Sequence, residues 1–557
     1  SIPTEPAAIA TGYQEAISSL RAVRREAQQL REEFLQRQVD SYKNLDEQGK
    51  AHILRRIQRA ELMSSVYKKI QFIRHQHRKS GLTSVKVPRD TNHMTEDSMK
   101  TLPDDPNTWR TVRVPAEIER LLLSRNQQHF GQAEGTPFTQ PPLSMDCKYD
   151  GTGVKAEAIL DGDYDTTGLQ APVALFINHL QRQSLKTLDG TISTEDILGK
   201  LKAWPERTTT SPSGLHLAHY HAMWRPTGCT GGQDDPQGQA ILDSQIALQK
   251  GHTKMMQYAL KYGYSYKRWS SVVNIMLEKD AGNPRIHRLR VIHIYEADYN
   301  LILAVKWRQA LFHAEDNRLL NNGLYGSRPG RSAVIPVYIE NMQNSIYQLS
   351  MKSGINFDLD ATACYDRILA SVASLASRRM GMQSRVVLVN STTLEQAQFR
   401  IKTTLGISCE SYSHSPAFPI HGTGQGSGNS PTIWCFVCSV LFDALEATTA
   451  GAVFISPDRV HSVHIWMIGF VDDCSQRVNR FEDHPQPSST HLVEIMQREA
   501  QRWNDLLWSS GGALELAKCS YHLIQTAWTN NGVPFLTATT NAPPLILTNA
   551  NGQQSVI

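Results

Sequence analysis

The segment Phe470-Val-Asp-Asp473 constrains the fold most, because two adjacent acids stand between two β-prone runs. The apolar residues 463–469 precede the acids, and residues 474–478 follow them. Two such runs on either side of a short polar tip predict a β-hairpin. Adjacent carboxylates at an exposed turn repel each other, so that a bound cation would stabilise them. Two adjacent aspartates are also common in ordinary turns. The pair therefore indicates a cation site only in combination with the segments that accompany it.

A second acidic segment begins at the end of another predicted strand. Residues 355–359 have the composition of a strand, and Asp360 follows them, where it can face the acids of a neighbouring strand. Residues 366–376 are predicted as the next helix, with Asp366 in a position that can cap it. Tyr365 is expected to lie beneath the same pocket as Asp360.

A glycine-rich segment, Gly422-Thr-Gly-Gln-Gly-Ser-Gly-Asn-Ser-Pro431, precedes a long apolar run. Its glycines allow the backbone to approach a ligand closely, and Ser430 with Pro431 predicts the start of a helix. Cys435 and Cys438 lie within the apolar run, which favours two small buried side chains over a redox or zinc site.

In this order, the three segments resemble motifs A, B and C of reverse transcriptases of the non-LTR and group II intron type. Motif A of that family, D-x-x-x-A-F-D, resembles Asp360-Ala-Thr-Ala-Cys-Tyr-Asp366. Motif B, Q-G-x-x-x-S-P, resembles Gln425-Gly-Ser-Gly-Asn-Ser-Pro431, and motif C, F/Y-x-D-D, resembles Phe470–Asp473. The resemblance covers about residues 190–525, and the order and spacing of the motifs make it specific.

Flanking segments resemble further motifs of the same family. Those similar to the fingers motifs, to the segment upstream of motif A and to motif D are Leu277–Lys279, Leu289–Ile292, Tyr325–Ser332 and Leu514–Lys518. Cys364 departs from the family by replacing an alanine. The primer-gripping hairpin and the thumb of the family are not recognisable after Lys518, so they are expected to be absent or truncated.

The resemblance implies a mixed α/β (α+β) chain with the fingers and palm of a right-hand polymerase and an antiparallel palm sheet. The implied organisation is a basic helical N-terminal extension at 1–105, a poorly patterned connector at 106–190, fingers at 191–345 and a palm at 346–557. The implied activity is that of an enzyme, an RNA-directed DNA polymerase (a nucleotidyltransferase), which forms part of a retrotransposon or related retroelement.

The resemblance also implies roles for individual residues. Two Mg²⁺ ions, with Mn²⁺ as the alternative, would be held by Asp360, Asp472, Asp473 and the carbonyl of Ala361, and would clamp the attacking and leaving oxygens. Lys518 would assist departure of pyrophosphate, and Tyr365 would fill the space of a ribose 2′-hydroxyl. The residues implied at the incoming deoxynucleoside triphosphate are Lys279, Arg290, Tyr365, Gln425 and Gly426. The residues implied at the RNA template are Arg328 and Arg331.

Charge and hydropathy indicate which partners and which cellular location to expect. The net charge is only +4, yet nine basic residues and one acid lie between Lys50 and Lys79. This segment is either a solvated helix face or a contact to an RNA backbone. The sequence shows no signal peptide and no apolar run of membrane-spanning length, which favours an intracellular protein without membrane contact. The expected partners are an RNA template, a DNA or RNA primer and deoxynucleoside triphosphates.

Two alternatives stay open at this point. An RNA-dependent RNA polymerase shares the palm and uses a second acid in motif A, a position that Asp366 could supply. A non-catalytic RNA-binding protein derived from a retroelement would keep the fold without the synthesis.

Overall fold

The computed structural model describes residues 39–55 with scattered positions from 18 to 37, and then 82–90, 95–182, 186–205, 208, 211–215, 217–224, 236–404, 406–483, 487–537 and 542–557. The chain divides into two compact units, Ser1–Gly81 with Pro226–Ser244 and Leu82–Arg225 with Gln245–Ile557. In the smaller unit, residues 39–43 and 47–55 are helical. The basic segment predicted at 50–79 lies outside the described residues beyond Arg55.

The larger unit begins with an antiparallel strand pair, β1 (Val85–Pro88) and β2 (Trp109–Val112). Its helices as far as residue 225 are α1 (Glu96–Lys100), α2 (Pro115–Phe130), α3 (Leu143–Cys147), α4 (Ala156–Asp161), α5 (Ala171–His179), α6 (Thr194–Ala203) and α7 (Leu217–Trp224). Helix α8 (Pro236–Tyr262) begins in the smaller unit and continues in the larger one from Gln245. The predicted extension at 1–105 therefore ends inside the larger unit, because β1 and α1 belong to this fold.

One sheet combines strands from two distant parts of the sequence. Its strands are β3 (Ser271–Glu278), β4 (Leu289–Ile294), β6 (Gln398–Thr403), β7 (Gly406–Ile407) and β8 (Tyr412–Ser413). Strand β3 pairs antiparallel with β4 and parallel with β6. Because β6 follows residue 346, the predicted boundary between 345 and 346 does not divide the sheets.

A second sheet, the central sheet, is antiparallel at every pairing, as the resemblance implies for this part of the chain. Its order is β11 (Met467–Phe470), β12 (Asp473–Asn479), β5 (Gly354–Asp360), β13 (Ser520–Trp528) and β14 (Pro534–Thr537). In β5 the side chains of Ile355, Phe357 and Leu359 are buried. These alternate residues share one face of the strand, which places β5 on the hydrophobic core.

Helices cover this sheet. The remaining helices are α9 (Ala297–Asp316), α10 (Val334–Ser350), α11 (Cys364–Arg367), α12 (Ala370–Arg379), α13 (Ser384–Gln396), α14 (Ser430–Glu446) and α15 (Ser489–Ser509). Two further hairpins are β9 (Ala452–Ile455) with β10 (Ser462–Ile465), and β15 (Ile546–Thr548) with β16 (Gln554–Val556). Helix α15 packs on β5 and β12, and α5 packs on α14 and α15. The segment 106–190, which is predicted to be a poorly patterned connector, thus contributes helices to the core.

Helix α14 begins at Ser430 with Pro431 in its first turn, as predicted, and is almost entirely buried. Cys435 and Cys438 are both buried within it, which confirms that this pair packs in the core. Among the described helices, none is long and apolar enough to cross a lipid bilayer.

Candidate active site

The hairpin predicted around the paired acids is present. Strand β11 ends at Phe470 and β12 begins at Asp473, so that Val471 and Asp472 form the tip. Val471 has a φ of +62°, a conformation that costs a β-branched residue about 1–3 kcal/mol. Contacts from other segments hold the tip: the Trp434 indole N–H donates to the Val471 carbonyl at 2.7 Å, and a Cβ at Gly326 would collide with the Val471 backbone nitrogen.

Strand β5 brings Asp360 to the base of this tip. Asp473 is the cross-strand partner of Asp360, and directly opposed residues project from the same face of a sheet. Burial, and then the negative charges of Asp472 and Asp360, raise the pKa of Asp473, while Lys518 acts in the opposite direction. The structure therefore brings the three predicted acids together at one end of the central sheet.

A positive charge lies directly against Asp360. The Asp360 carbonyl accepts from the backbone N–H of Glu515 at 2.9 Å, which fixes the loop that continues to Lys518. The Lys518 ammonium then donates to Asp360 Oδ2 at 2.7 Å. The loop that resembles motif D thus lies beside the acids, as its predicted role requires.

One cavity of about 570 Å³ joins the acids to strand β4 and the turn before it. The predicted site residues that line it are Lys279, Arg290, Asp360, Ala361, Tyr365, Gln425, Asp472 and Lys518. Asp473 and Gly426 adjoin these residues in sequence but do not line the cavity. Most of the predicted constellation therefore faces one common space.

Basic side chains line the same cavity. Lys279 and Arg290 are joined there by Lys100, Arg125 and Arg288. Burial, and then the positive charges of Lys518 and Arg290, lower the pKa of Lys279. Such mutual repulsion between cations is relieved by an anionic ligand, and guanidinium and ammonium groups are the usual protein ligands of phosphate.

The glycine-rich loop is fastened to β4 and α9. The backbone N–H of His293 donates to the Gln425 carbonyl at 2.7 Å. The Asn300 amide brackets the loop, since its Nδ2 donates to the Gly426 carbonyl at 3.1 Å and its Oδ1 accepts from Gly428 at 2.6 Å. Gly426 has a φ of +115°, and a Cβ there would collide with the His293 carbonyl. Gly426 therefore allows the backbone of the loop to lie close to strand β4 of the same protein.

Arg328, which is predicted to contact the template, has a buried side chain that is paired within the protein. Its side chain is only 4 % exposed, and Nε and Nη2 bond both carboxylate oxygens of Glu315 at 2.6 and 2.7 Å. Its Nη1 donates to the carbonyls of Asn321 and Leu324. Arg328 therefore fastens the loop between α9 and α10. The Arg331 guanidinium lies 5.4 Å from the centre of the Tyr325 ring, and its template contact stays a prediction.

Replacing Arg328 by Met is expected to lower the free energy of unfolding by about 3 kcal/mol, because Glu315 would lose a buried ionic partner. RNA affinity should not change beyond the loss of folded protein. Arg331→Met is the matched control, since it removes a nearby arginine without breaking a buried pair. Urea unfolding of both variants measures the difference. Equal stability of the Arg328 variant and the wild type would contradict the structural role.

Glu96 and His129, which sequence reasoning missed, reach the same cavity from α1 and α2. His129 lies between two carboxylates, with Nδ1 2.8 Å from Glu96 Oε2 and Nε2 3.0 Å from Asp366 Oδ2. The predicted capping role of Asp366 is therefore wrong. The helix predicted at 366–376 is divided into α11 and α12, because Ile368 and Leu369 are extended.

The acids fit a divalent cation by donor type. Carboxylate oxygens are the ligands that Mg²⁺ prefers. Burial, and then repulsion from Asp472 and Asp360, raise the pKa of Asp473, and a cation would relieve that repulsion. Among the described residues, no group of three or more His, Cys, Asp or Glu side chains is already arranged around a common metal position. Lys518 supplies the positive charge at Asp360 in this arrangement, so a metal ion would share that carboxylate with it.

The chain matches no protein-family model and no curated protein.

Proposed function

We propose that residues 191–557 are the fingers and palm of a reverse transcriptase, which extends a primer with deoxynucleotides on an RNA template. One observation carries the proposal. Strand β5 and the β11–β12 hairpin meet with Asp360 opposite Asp473, and Asp472 lies at the hairpin tip and lines a cavity that Lys279, Arg290 and Lys518 also line. Carboxylates and cations around one cavity suit a metal-bound triphosphate.

Phosphoryl transfer asks the protein for positioning and charge neutralisation rather than covalent chemistry. Asp360 and Asp472, with Asp473 and the Ala361 carbonyl, would hold Mg²⁺, which when bound stabilises the attacking and leaving oxygens. Lys279 and Arg290 bind the triphosphate within the same cavity. Lys518, which already bonds Asp360, neutralises the pyrophosphate as it leaves.

The surroundings of motif A favour deoxynucleotides over ribonucleotides. Tyr365 lines the cavity, where its ring restricts the space at the sugar. Asp366, the acid that an RNA polymerase could use to bind a ribose hydroxyl, is occupied in a buried pair with His129. The Tyr365 ring supports a reverse transcriptase over the RNA polymerase alternative, because it leaves less space for a ribose hydroxyl.

Primer extension tests the proposal. The protein is given an RNA template with a DNA primer, and either deoxynucleoside or ribonucleoside triphosphates, with Mg²⁺ or with a chelator. We expect DNA products that require the metal and return when Mg²⁺ or Mn²⁺ is restored. RNA products would indicate an RNA polymerase instead. Binding of the template without synthesis of either polymer would indicate the non-catalytic RNA-binding protein.

A further inference from the structure

A hydrogen-bonded chain of Glu96, His129 and Asp366 connects the N-terminal part of the larger unit to the segment that carries Tyr365. His129 and Asp366 are 8 % and 4 % exposed, so that their contact is shielded from solvent. Gln132 donates to Glu96 Oε2 at 2.5 Å and so supports Glu96 at one end of this hydrogen-bonded series. The connection therefore runs from α1, through α2, to α11.

The geometry favours a positively charged imidazole. Ionised carboxylates only accept hydrogen bonds, and an imidazolium can donate one from each ring nitrogen to the two carboxylates. Burial and the charge of Arg125 would lower the pKa of His129, but its hydrogen bonds to Asp366 and Glu96 outweigh them and raise it. Burial would likewise raise the pKa of Glu96, yet His129, Arg125 and Lys100 hold it at about 2. The chain is thus an alternation of negative, positive and negative groups.

Asp366 is a neighbour of Tyr365 within α11, a single short turn. Main-chain bonds hold this turn on one side: the Tyr365 carbonyl accepts from Thr423 at 3.0 Å, and the Ile368 carbonyl accepts from Gly422 at 2.8 Å. His129 holds it on the other side through the Asp366 side chain. The position of the Tyr365 ring therefore depends on both supports.

The same N-terminal segment makes a second contact at the site. Lys100, at the end of α1, bonds Glu515 at 3.1 Å, in the loop that presents Lys518 to Asp360. Residues 96–130 thus touch the cavity at two separate places, although they lie outside the resemblance, which begins near residue 190. This part of the chain is a wall of the site and not only a support for the fold.

We propose that His129 is a positioning residue of the candidate active site, which holds Tyr365 through Asp366 and so sets the discrimination against ribonucleotides. The inference rests on the proposed function and concerns sugar selection rather than phosphoryl transfer. Without a cation at position 129, the Asp366 carboxylate would be buried and unpaired, which costs more than a local shift of the backbone. The α11 turn would move to hydrate it, and the Tyr365 ring would move with that turn.

The test is a double-mutant cycle with His129→Gln and Asp366→Asn. For the wild type, each single variant and the double variant, kcat/KM is measured for one deoxynucleotide and the matching ribonucleotide on the same primer and template. We expect each single variant to lower the deoxy-to-ribo ratio by about tenfold or more, mainly through the KM of the ribonucleotide. The double variant should resemble either single variant, because both changes remove the same interaction.

His421→Gln is the matched control. His421 is also buried, at 5 % exposure, and pairs with a carboxylate of the N-terminal part, Glu134, at 2.6 Å. It does not line the cavity. Thermal unfolding of His421→Gln should therefore show a loss of stability similar to that of His129→Gln, while its deoxy-to-ribo ratio stays at the wild-type value.

The possible outcomes distinguish the positioning role of His129 from the proposed function. A wild type that makes DNA, with the same deoxy-to-ribo ratio in His129→Gln and His421→Gln, overturns the positioning role and leaves the proposed function standing. A wild type that makes no DNA overturns the proposed function, and this inference falls with it. If His129→Gln does not fold, Asp366→Asn decides the question by the same ratio.

Discussion

Replacing Asp472 by Asn is expected to abolish metal-dependent DNA synthesis while the chain stays folded. Asp472 lies at the hairpin tip and lines the cavity, where the proposed metal ions would bind, and it is not part of the hydrophobic core. Loss of one such ligand should reduce the rate by on the order of 10³-fold or more. Stability should not fall, because the negative charge of Asp472 contributes to the raised pKa of Asp473 and its removal relieves repulsion.

Single-nucleotide incorporation, together with thermal unfolding, measures both parts of this prediction. Asp458→Asn is the matched control, since Asp458 is an acid in the turn of the neighbouring β9–β10 hairpin. Its carboxylate accepts from the Val460 backbone N–H at 3.1 Å and does not line the cavity. The control should keep the wild-type rate. Synthesis by Asp472→Asn at the wild-type rate would remove Asp472 from the metal site.

Replacing Tyr365 by Ala is expected to admit ribonucleotides. The ring lines the cavity beside the strand end that carries Asp360, and the backbone at this position is held by Thr423. Truncation would therefore open space at the sugar without moving the main chain. Steric selection of this kind is worth about 10²-fold, so the deoxy-to-ribo ratio of kcat/KM should fall by about that factor.

Tyr365→Phe distinguishes the ring from the hydroxyl. The phenylalanine keeps the aromatic ring and loses only the hydroxyl, so discrimination should stay near that of the wild type. The measurement is the same pair of kcat/KM values for the two variants. An unchanged ratio in Tyr365→Ala would show that another group excludes the ribose hydroxyl.

The segments that carry the acids are predictable from the sequence because their signals are local. Alternate apolar residues mark β5, and a polar tip between two β-prone runs marks the β11–β12 hairpin. Ser430 and Pro431 mark the start of α14 in the same way. In each case the residues that decide the structure are neighbours in the chain, and the structure agrees with the prediction.

The N-terminal wall of the site leaves no comparable signal. Helix α2 buries Arg125, Asn126 and His129 alongside apolar residues, so a pattern that looks for an apolar stripe does not mark its inner face. The partners of these side chains are also remote: His129 and Asp366 are 237 residues apart, and Arg125 and Leu289 are 164 apart. Only the folded chain brings such charges together.

Arg328 illustrates a different limit. A motif predicts that an arginine occurs at this position, but it does not say which way the side chain points. Glu315 lies 13 residues earlier, on a helix whose path relative to the loop is set by tertiary packing. The nearby carboxylate, rather than the expected template, therefore fixes the orientation of Arg328.

The strained tip at Val471 also bears on how this gene tolerates change over generations. Gly326 carries no chemistry, yet any larger residue there would push against the Val471 backbone and displace the acid that follows it. A change at Trp434 would have a similar effect, because its indole N–H donates to the Val471 carbonyl. A duplicated gene that accumulates mutations without selection can therefore lose the proposed activity through a change at either residue, while every aspartate is retained. The presence of the acids alone does not distinguish an active copy from an inactive one.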